Sequence, residues 1–313
     1  MLQSATCITD TTDARVAHFR AVRDGDLRGR DGLFCVESPR VIRRFLHALV
    51  ASRRGAIAAS PLSLRALLLT PAVAESLGEL LGRARECTED GTSAALYLAE
   101  SSVMSQLAGY KMHMGALALG VRPASISFDQ LLAVLPPHHH LLIPWGVVHT
   151  DNIGAIFRNA GSFANAGVLL AGGSSDPLNR KAIRISSGRV FSVPWGESHD
   201  LAGDLVRLRD EFGFAIVAAE ESEGATPIEE LCTLPTVARA RRVAVILGSE
   251  GDGVTAELRA QCDATCVIAM GDPHQPTNRL LESNDRPSLN VAVASALFLH
   301  RLRSAGGHSR TEC

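Results

Sequence analysis

Three short stretches carry polar side chains whose types and spacing could do chemistry. In HTDNIGAIFRNAG (149–161), Asn152 and Arg158 stand six apart with Gly154 between them. In VAVILGSEGDGV (243–254), an apolar run empties into Gly248-Ser249-Glu250-Gly251-Asp252-Gly253. In the third, Ile268-Ala269-Met270 closes one apolar run, and Ser288-Leu289-Asn290 opens another, SLNVAVASALFLHRL (288–302). Residues six apart do not share a helix face, but Asn152 at a helix start need not follow helical geometry, and a long Arg158 side chain could reach the same cleft. Glycines let a backbone approach a ligand closely. Glu250 would repel a phosphate and suits a cation or hydroxyl and amide donors. An apolar strand end beside free amides suits an adenine ring, whose faces need apolar contact and whose edge needs hydrogen bonds. The plain readings stand beside these: Asp151 or Asn152 capping a helix, Arg158 solvated, an ordinary glycine turn, and Ser288 or Asn290 as an N-cap.

The elements that must position these residues follow from apolar rhythm. LLIPWGVV (141–148), AGVLLAG (166–172), FAIVAAE (214–220), RVAVILG (242–248) and TCVIAM (265–270) read as strands, with helical segments between them. Ile153, Ile156, Phe157 and Ala160 share one helical face, and a last helix covers 289–303. Strands alternating with helices predict a parallel sheet, and such sheets bind ligands at their carboxyl ends. Gly154 in a first helical turn costs about 1 kcal/mol relative to alanine, which points to close packing near it. Earlier in the chain the first twenty-odd residues read as a helix. LFCVESPRVIRRFLHALV (33–50) and ALYLAESSVMSQLAGYKM (95–112) each read as strand then helix, with Ser38-Pro39 as a start signal. ALALGVRP (116–123) reads as a strand, and SFDQLLAVLPPHHH (127–140) as a linker. The expectation is therefore a small α/β domain over 1–126, a linker over 127–140 and a larger α/β domain over 141–313.

Bulk properties narrow the classes. A chain of 313 residues with 46% hydrophobic and 20% charged residues suits a packed two-domain protein. A formal net charge of −2 gives no global attraction to nucleic acid, so any such contact rests on a local basic patch. Seven cysteines fall without metal-ligand spacing, and the opening residues lack a secretory pattern, so reduced thiols in a cytoplasmic protein are expected. The apolar runs are too short to span a bilayer. Three contiguous histidines, 138–140, cannot easily converge on one ion, so no metal is expected.

Taken in order, the three stretches resemble the SpoU branch of the SPOUT RNA methyltransferases, which transfer a methyl group from S-adenosylmethionine to a ribose 2′-hydroxyl. DNIGAIFRNAGSFANAGV resembles the first motif, LGSEGDGV the second, and IAM with SLNVAVASAL the third; KAIRISSGRVFSVP (181–194) resembles the segment joining early strands. The resemblance covers about 141–303. It implies a C-terminal parallel sheet with a deep trefoil knot, an exception to unknotted chains, with Ser288-Leu289-Asn290 in the knotted crossing and the following helix in a homodimer interface. LFCVESPRVIRRFL and LYLAESSVMSQLAGYKMHMGALALGV are similar to a ribosomal-protein-like substrate-binding domain often fused to these enzymes, which would make 1–126 that domain. Arg40, Arg43 and Arg44 there, with Arg184 further on, are candidates for RNA phosphate contacts.

By the same resemblance Arg158 is the central catalytic residue, with Asn152, Glu250, Ser288 and Asn290 around it. Gly248, Ile268, Met270 and Leu289 would hold the cofactor, mostly through backbone groups. A guanidinium, whose pKa lies above about 12, is a poor general base; stabilising a developing alkoxide asks less of it. Ribosomal RNA is the favoured substrate over transfer RNA. The sequence departs from the family in its long connection GDPHQPTNRLLESNDRP (271–287), in Ala269 where proline is usual, and in HTDN before the first motif. Two rivals remain: a non-catalytic RNA-binding protein on the same scaffold, and a nucleotide-dependent oxidoreductase. The absence of G-x-G-x-x-G after any strand argues against the second.

Overall fold

A computed structural model describes residues 5–20, 32–53, 62–88, 91–112, 115–122, 126–240, 242–249, 251, 253–270 and 288–306. They form two compact units that are not continuous in sequence. One comprises 1–134 with 176–194, the other 135–175 with 195–313.

The first unit is built on a mixed five-stranded sheet. Its strands are β1 (Thr6–Cys7), β2 (Leu33–Glu37), β3 (Ser63–Leu69), β4 (Ala95–Leu98) and β5 (Ala116–Val121), in the order β1-β4-β3-β5-β2. β5 runs antiparallel to both β2 and β3, whereas β4 is parallel to β1 and β3. The helix Pro39–Arg53 buries Val41, Ile42, Phe45, Leu46, Ala48 and Leu49, the 3.6-residue stripe that its sequence encodes. It starts at Pro39, and Ser38 turns the chain there at φ 74°. The helical reading of the first twenty residues is corrected: they hold β1 and a 3-10 helix, Ala14–Phe19. Asp10 and Asp13 accept backbone hydrogen bonds from Thr12 and Arg15 at 2.8 and 2.9 Å, local bonds that compete with a helix. The stretch expected as a linker contains the helix Phe128–Val134, with Phe128, Leu131 and Leu132 buried.

Residues 176–194 complete this unit. Phe191 packs on Phe34 and Phe45, with ring centroids 5.9 and 4.8 Å away. Arg180 pairs with Glu37 at 3.0 Å, and Arg122 pairs with Asp176.

The second unit is a seven-stranded, all-parallel sheet. Its strands are β6 (His140–Pro144), β7 (Ala166–Leu170), β8 (Trp195–Glu197), β9 (Phe214–Ala219), β10 (Thr226–Pro227), β11 (Arg242–Leu247) and β12 (Ala264–Val267), ordered β10-β12-β9-β11-β6-β7-β8. Leu141–Ile143, Phe214–Ala218 and Val243–Leu247 are buried throughout, as expected for parallel strands covered on both faces. The helices Thr150–Phe163 and Val291–Gly306 pack on each other. Asn159 Nδ2 joins them, donating to the Ala292 carbonyl at 2.7 Å and to Ser295 Oγ at 2.9 Å. The connection 271–287, on which the expected knotted crossing depends, lies outside the described residues. No helix among the described residues is long and apolar enough to cross a membrane.

Candidate active site

The carboxyl ends of β9, β11 and β12 open into a cavity of about 460 Å³. Strand β11 stops at Leu247 because glycines follow, and the chain turns back on itself with the Gly253 amide donating to the Ser249 carbonyl at 3.2 Å. A side chain at Gly248 would bring its Cβ within 2.2 Å of the Gly253 backbone. Gly253 has φ 62°, and a Cβ there would strike the Glu220 carboxylate at 2.4 Å. Glu220, just beyond the end of β9, accepts the Val254 amide at 2.8 Å and so pins the loop. This strand-end carboxylate was not picked out from sequence, although a carboxylate at the end of a parallel strand is the signal that would have found it.

Gly248, Ile268, Met270 and Leu289, the four residues expected to hold a cofactor, all line the cavity, as do Ser288 and Asn290. Cys266 is buried in its wall, and burial pushes its thiol up to about 11, so it is no nucleophile at neutral pH. Glu220 and Glu221 bring carboxylates to the lining. Glu250, expected in this site, lies outside the described residues.

Asn290 does two jobs at the start of its helix. Its Oδ1 accepts the Ala292 amide at 2.9 Å, an N-capping bond, and its Nδ2 donates to Asn152 Oδ1 at 2.9 Å. The backbone bond fixes which way the Asn290 amide points. The first and third polar stretches are thereby joined by a direct hydrogen bond, with Asn152 only 7% exposed.

Arg158 is placed differently from the sequence expectation. The helix begins at Thr150, so Asn152 already lies within it, and six residues at about 100° each put Arg158 about 120° round from Asn152. Arg158 is exposed and does not line the cavity, and its guanidinium makes no hydrogen bond or ion pair with the described residues. Among the expected RNA contacts, Arg40 and Arg184 are exposed. Arg43 instead donates to the Ser76 carbonyl at 2.8 Å, and Arg44 to Ser187 Oγ at 2.9 Å, so both are engaged within the first unit. Among the described residues no three His, Cys, Asp or Glu side chains converge for a metal ion. His140 has a structural partner: its Nδ1 accepts the Val243 amide at 3.1 Å.

Residues 140–300 match the model of the SpoU rRNA Methylase family. A tRNA/rRNA methyltransferase of Mycobacterium tuberculosis, itself described as uncharacterized, is 32% identical over 221 residues, covering 70% of this chain and 69% of that protein. The chain belongs to the SpoU methylase family, a class of RNA methyltransferases whose cofactor is S-adenosylmethionine. It is also similar to the 23S rRNA (guanosine-2′-O-)-methyltransferase RlmB of Nitrosomonas europaea, 28% identical over 209 residues that cover 66% of this chain and 73% of that one. An AdoMet-bound rRNA methyltransferase structure from Sinorhizobium meliloti shares the fold at a TM-score of 0.71, with 18% identity over 96% of this chain and 98% of that one.

The cavity fits the cofactor. Its volume is in the range of roughly 300–1,000 Å³ usual for small-ligand sites. Its lining combines a side-chain-free residue, Gly248, and the apolar Ile268 with the acidic Glu220 and Glu221, a composition suited to a ligand that carries positive charge.

Proposed function

We propose that the protein methylates a ribose 2′-hydroxyl of RNA, and ribosomal RNA in preference to transfer RNA, with S-adenosylmethionine in the β9–β11–β12 cavity. The observation that carries this reading is the hydrogen bond from Asn290, a lining residue of the cavity, to Asn152, because it joins the motif that lines the cavity to the helix that bears Arg158. Gly248, Ile268, Met270 and Leu289 would hold the cofactor, largely through backbone amides and carbonyls beside an apolar wall. Bound there, the sulfonium supplies an already activated methyl group. The chain's own residues then position the acceptor. Ser288 is exposed at the cavity rim, where its hydroxyl can hydrogen-bond a ribose. Arg158 meets the ribose from outside the cavity, and its planar cation stabilises the alkoxide as the hydroxyl proton leaves. Among the described residues its guanidinium has no hydrogen-bond or ion-pair partner, which supports this role. The similarity to a 23S rRNA 2′-O-methyltransferase supports ribosomal RNA as the substrate class.

The same reading includes a homodimer. Leu289, Val293 and Leu297 stand four residues apart at the start and along one face of the C-terminal helix, 38%, 46% and 38% exposed, and a second copy of the chain would cover them. Val293→Glu is expected to shift the mass in light scattering from dimer to monomer; a dimer that survives the change would remove this face from the interface.

The test of function is methyl transfer from labelled S-adenosylmethionine to unmodified ribosomal and transfer RNA pools, followed by nucleoside mapping. Label in a 2′-O-methyl nucleotide of ribosomal RNA is the expected result. Label on a base would overturn the ribose assignment, and cofactor binding without transfer to either pool would favour a non-catalytic RNA-binding scaffold.

A further inference from the structure

The first unit contains a cavity of about 480 Å³ between the Ala14–Phe19 helix and the starts of β3 and β4. It lies on the sheet face that carries Leu33 and Cys35, while Phe34 packs on Phe45 of the Pro39–Arg53 helix. Alternate strand residues point to opposite faces, so the cavity and the helix bearing Arg40, Arg43 and Arg44 are on opposite sides of the sheet.

Its floor is aliphatic, from Ala66 and Leu119. One wall is Tyr97, whose ring is held edge-to-face by Phe19 at 6.4 Å and 83°. The rim carries Arg15, His18 and Arg65. Arg15 is clamped by Asp13 at 2.6 Å, which offsets its charge locally. Arg65 is exposed and has no hydrogen-bond or ion-pair partner among the described residues. The backbone itself aims Arg65. The register of β3 on β5 pairs Leu64 with Gly120 and Ala66 with Leu119, leaving Arg65 as the extra residue of a bulge. Bulges of this kind redirect a side chain and are common beside functional sites.

We propose that this cavity binds one unstacked nucleotide of the RNA substrate, with its base over the aliphatic floor against Tyr97 and its phosphate on Arg65. An apolar floor with an aromatic wall suits the faces of a base, and a guanidinium at the rim with no partner among the described residues suits a phosphate oxygen pair. The Tyr97 hydroxyl and the exposed Thr92 and Ser93 offer donors and acceptors to the base edge. The proposal rests on the RNA methyltransferase reading and places the first unit's RNA contact away from Arg43 and Arg44, which are already engaged.

The test uses the full chain and unmodified ribosomal RNA, measuring binding by filter retention over a salt series and methyl transfer by label. Arg65→Ala is expected to weaken RNA binding roughly tenfold, as loss of a charged hydrogen-bonding group does, to lower the slope of log affinity against log salt by about 0.7, and to raise KM for RNA. Arg65→Lys is expected to restore the slope but only part of the affinity. Arg83→Ala, an exposed arginine away from the cavity, serves as the control. Unchanged RNA affinity and salt slope in Arg65→Ala would overturn the proposal. So would guanosine monophosphate binding that is lost in Arg65→Ala while RNA affinity stays intact, which would mark a free-nucleotide site instead. A wild-type chain that neither binds nor methylates RNA would overturn the methyltransferase reading itself, an outcome distinct from an effect confined to Arg65.

Discussion

The two edges of the seven-stranded sheet are built to opposite rules. At the carboxyl edge, β9 runs into Glu220, β11 into Gly248 and β12 into the apolar Ile268-Ala269-Met270 around a cavity, and the Glu220 carboxylate pins the glycine loop through the Val254 amide. At the amino edge, polar groups are spent on the fold. His140 accepts the Val243 amide, Arg242 donates to the His139 carbonyl at 3.3 Å with its guanidinium 4.1 Å from the Phe214 ring, and Asp263 accepts the Ile216 amide at 2.7 Å. Burial, with added repulsion from His139 and Arg242, holds His140 at about 4. Polar groups at the amino edge are thus spent on stability, whereas the carboxyl edge is where an open parallel sheet binds its ligands.

This contrast can be broken or sharpened by variants on each edge. The largest effect is expected from Arg158→Ala, which should lower methyl transfer about 10²–10³-fold while leaving cofactor affinity intact. Arg158→Lys should also be severely impaired, since the planar fork is lost; a near-wild-type rate would remove Arg158 from the reaction. At the amino edge, acid should act on stability. His140 is held neutral, so the unfolded chain binds the extra proton between pH 6.5 and about 4, and stability falls as pH drops through that window, by on the order of 3 kcal/mol. Urea unfolding at pH 7 and pH 5 checks this, and His140→Gln should flatten the dependence. Gly248→Val is expected to cost about 1–3 kcal/mol of stability through its clash with the Gly253 backbone, and most of the cofactor affinity besides, as calorimetry would show. Asn290→Ala should cost least, about 1 kcal/mol for a lost cap, with a fall in transfer rate as the Asn152 contact disappears.

The parallel sheet was legible because its strands are long apolar runs, and β6, β7, β9, β11 and β12 fall inside the stretches read from sequence apart from one residue at the start of β6 and of β12. Strands β8 and β10, of three and two residues, carry too little pattern to be read; their place is decided by pairing with β7 and β12. The membership of 176–194 in the first unit was not legible either, since it rests on Phe191 meeting Phe34 and Phe45 from far away in the chain. The cavity residues could be named because glycine and strand-end chemistry is local. The direction of Arg158 could not, because it turns on a helix start two residues before Asn152. Similarly, Arg43 and Arg44 look available for RNA until the carbonyl of Ser76 and the hydroxyl of Ser187 are brought beside them.

The most direct test of the carboxyl-edge site is to measure, in one preparation each of wild type and Arg158→Ala, the affinity for S-adenosylmethionine and the single-turnover rate of methyl transfer to ribosomal RNA. Equal affinities with transfer lost only in the variant are predicted. Transfer that persists in Arg158→Ala, or a wild type that does not bind the cofactor, would contradict the account.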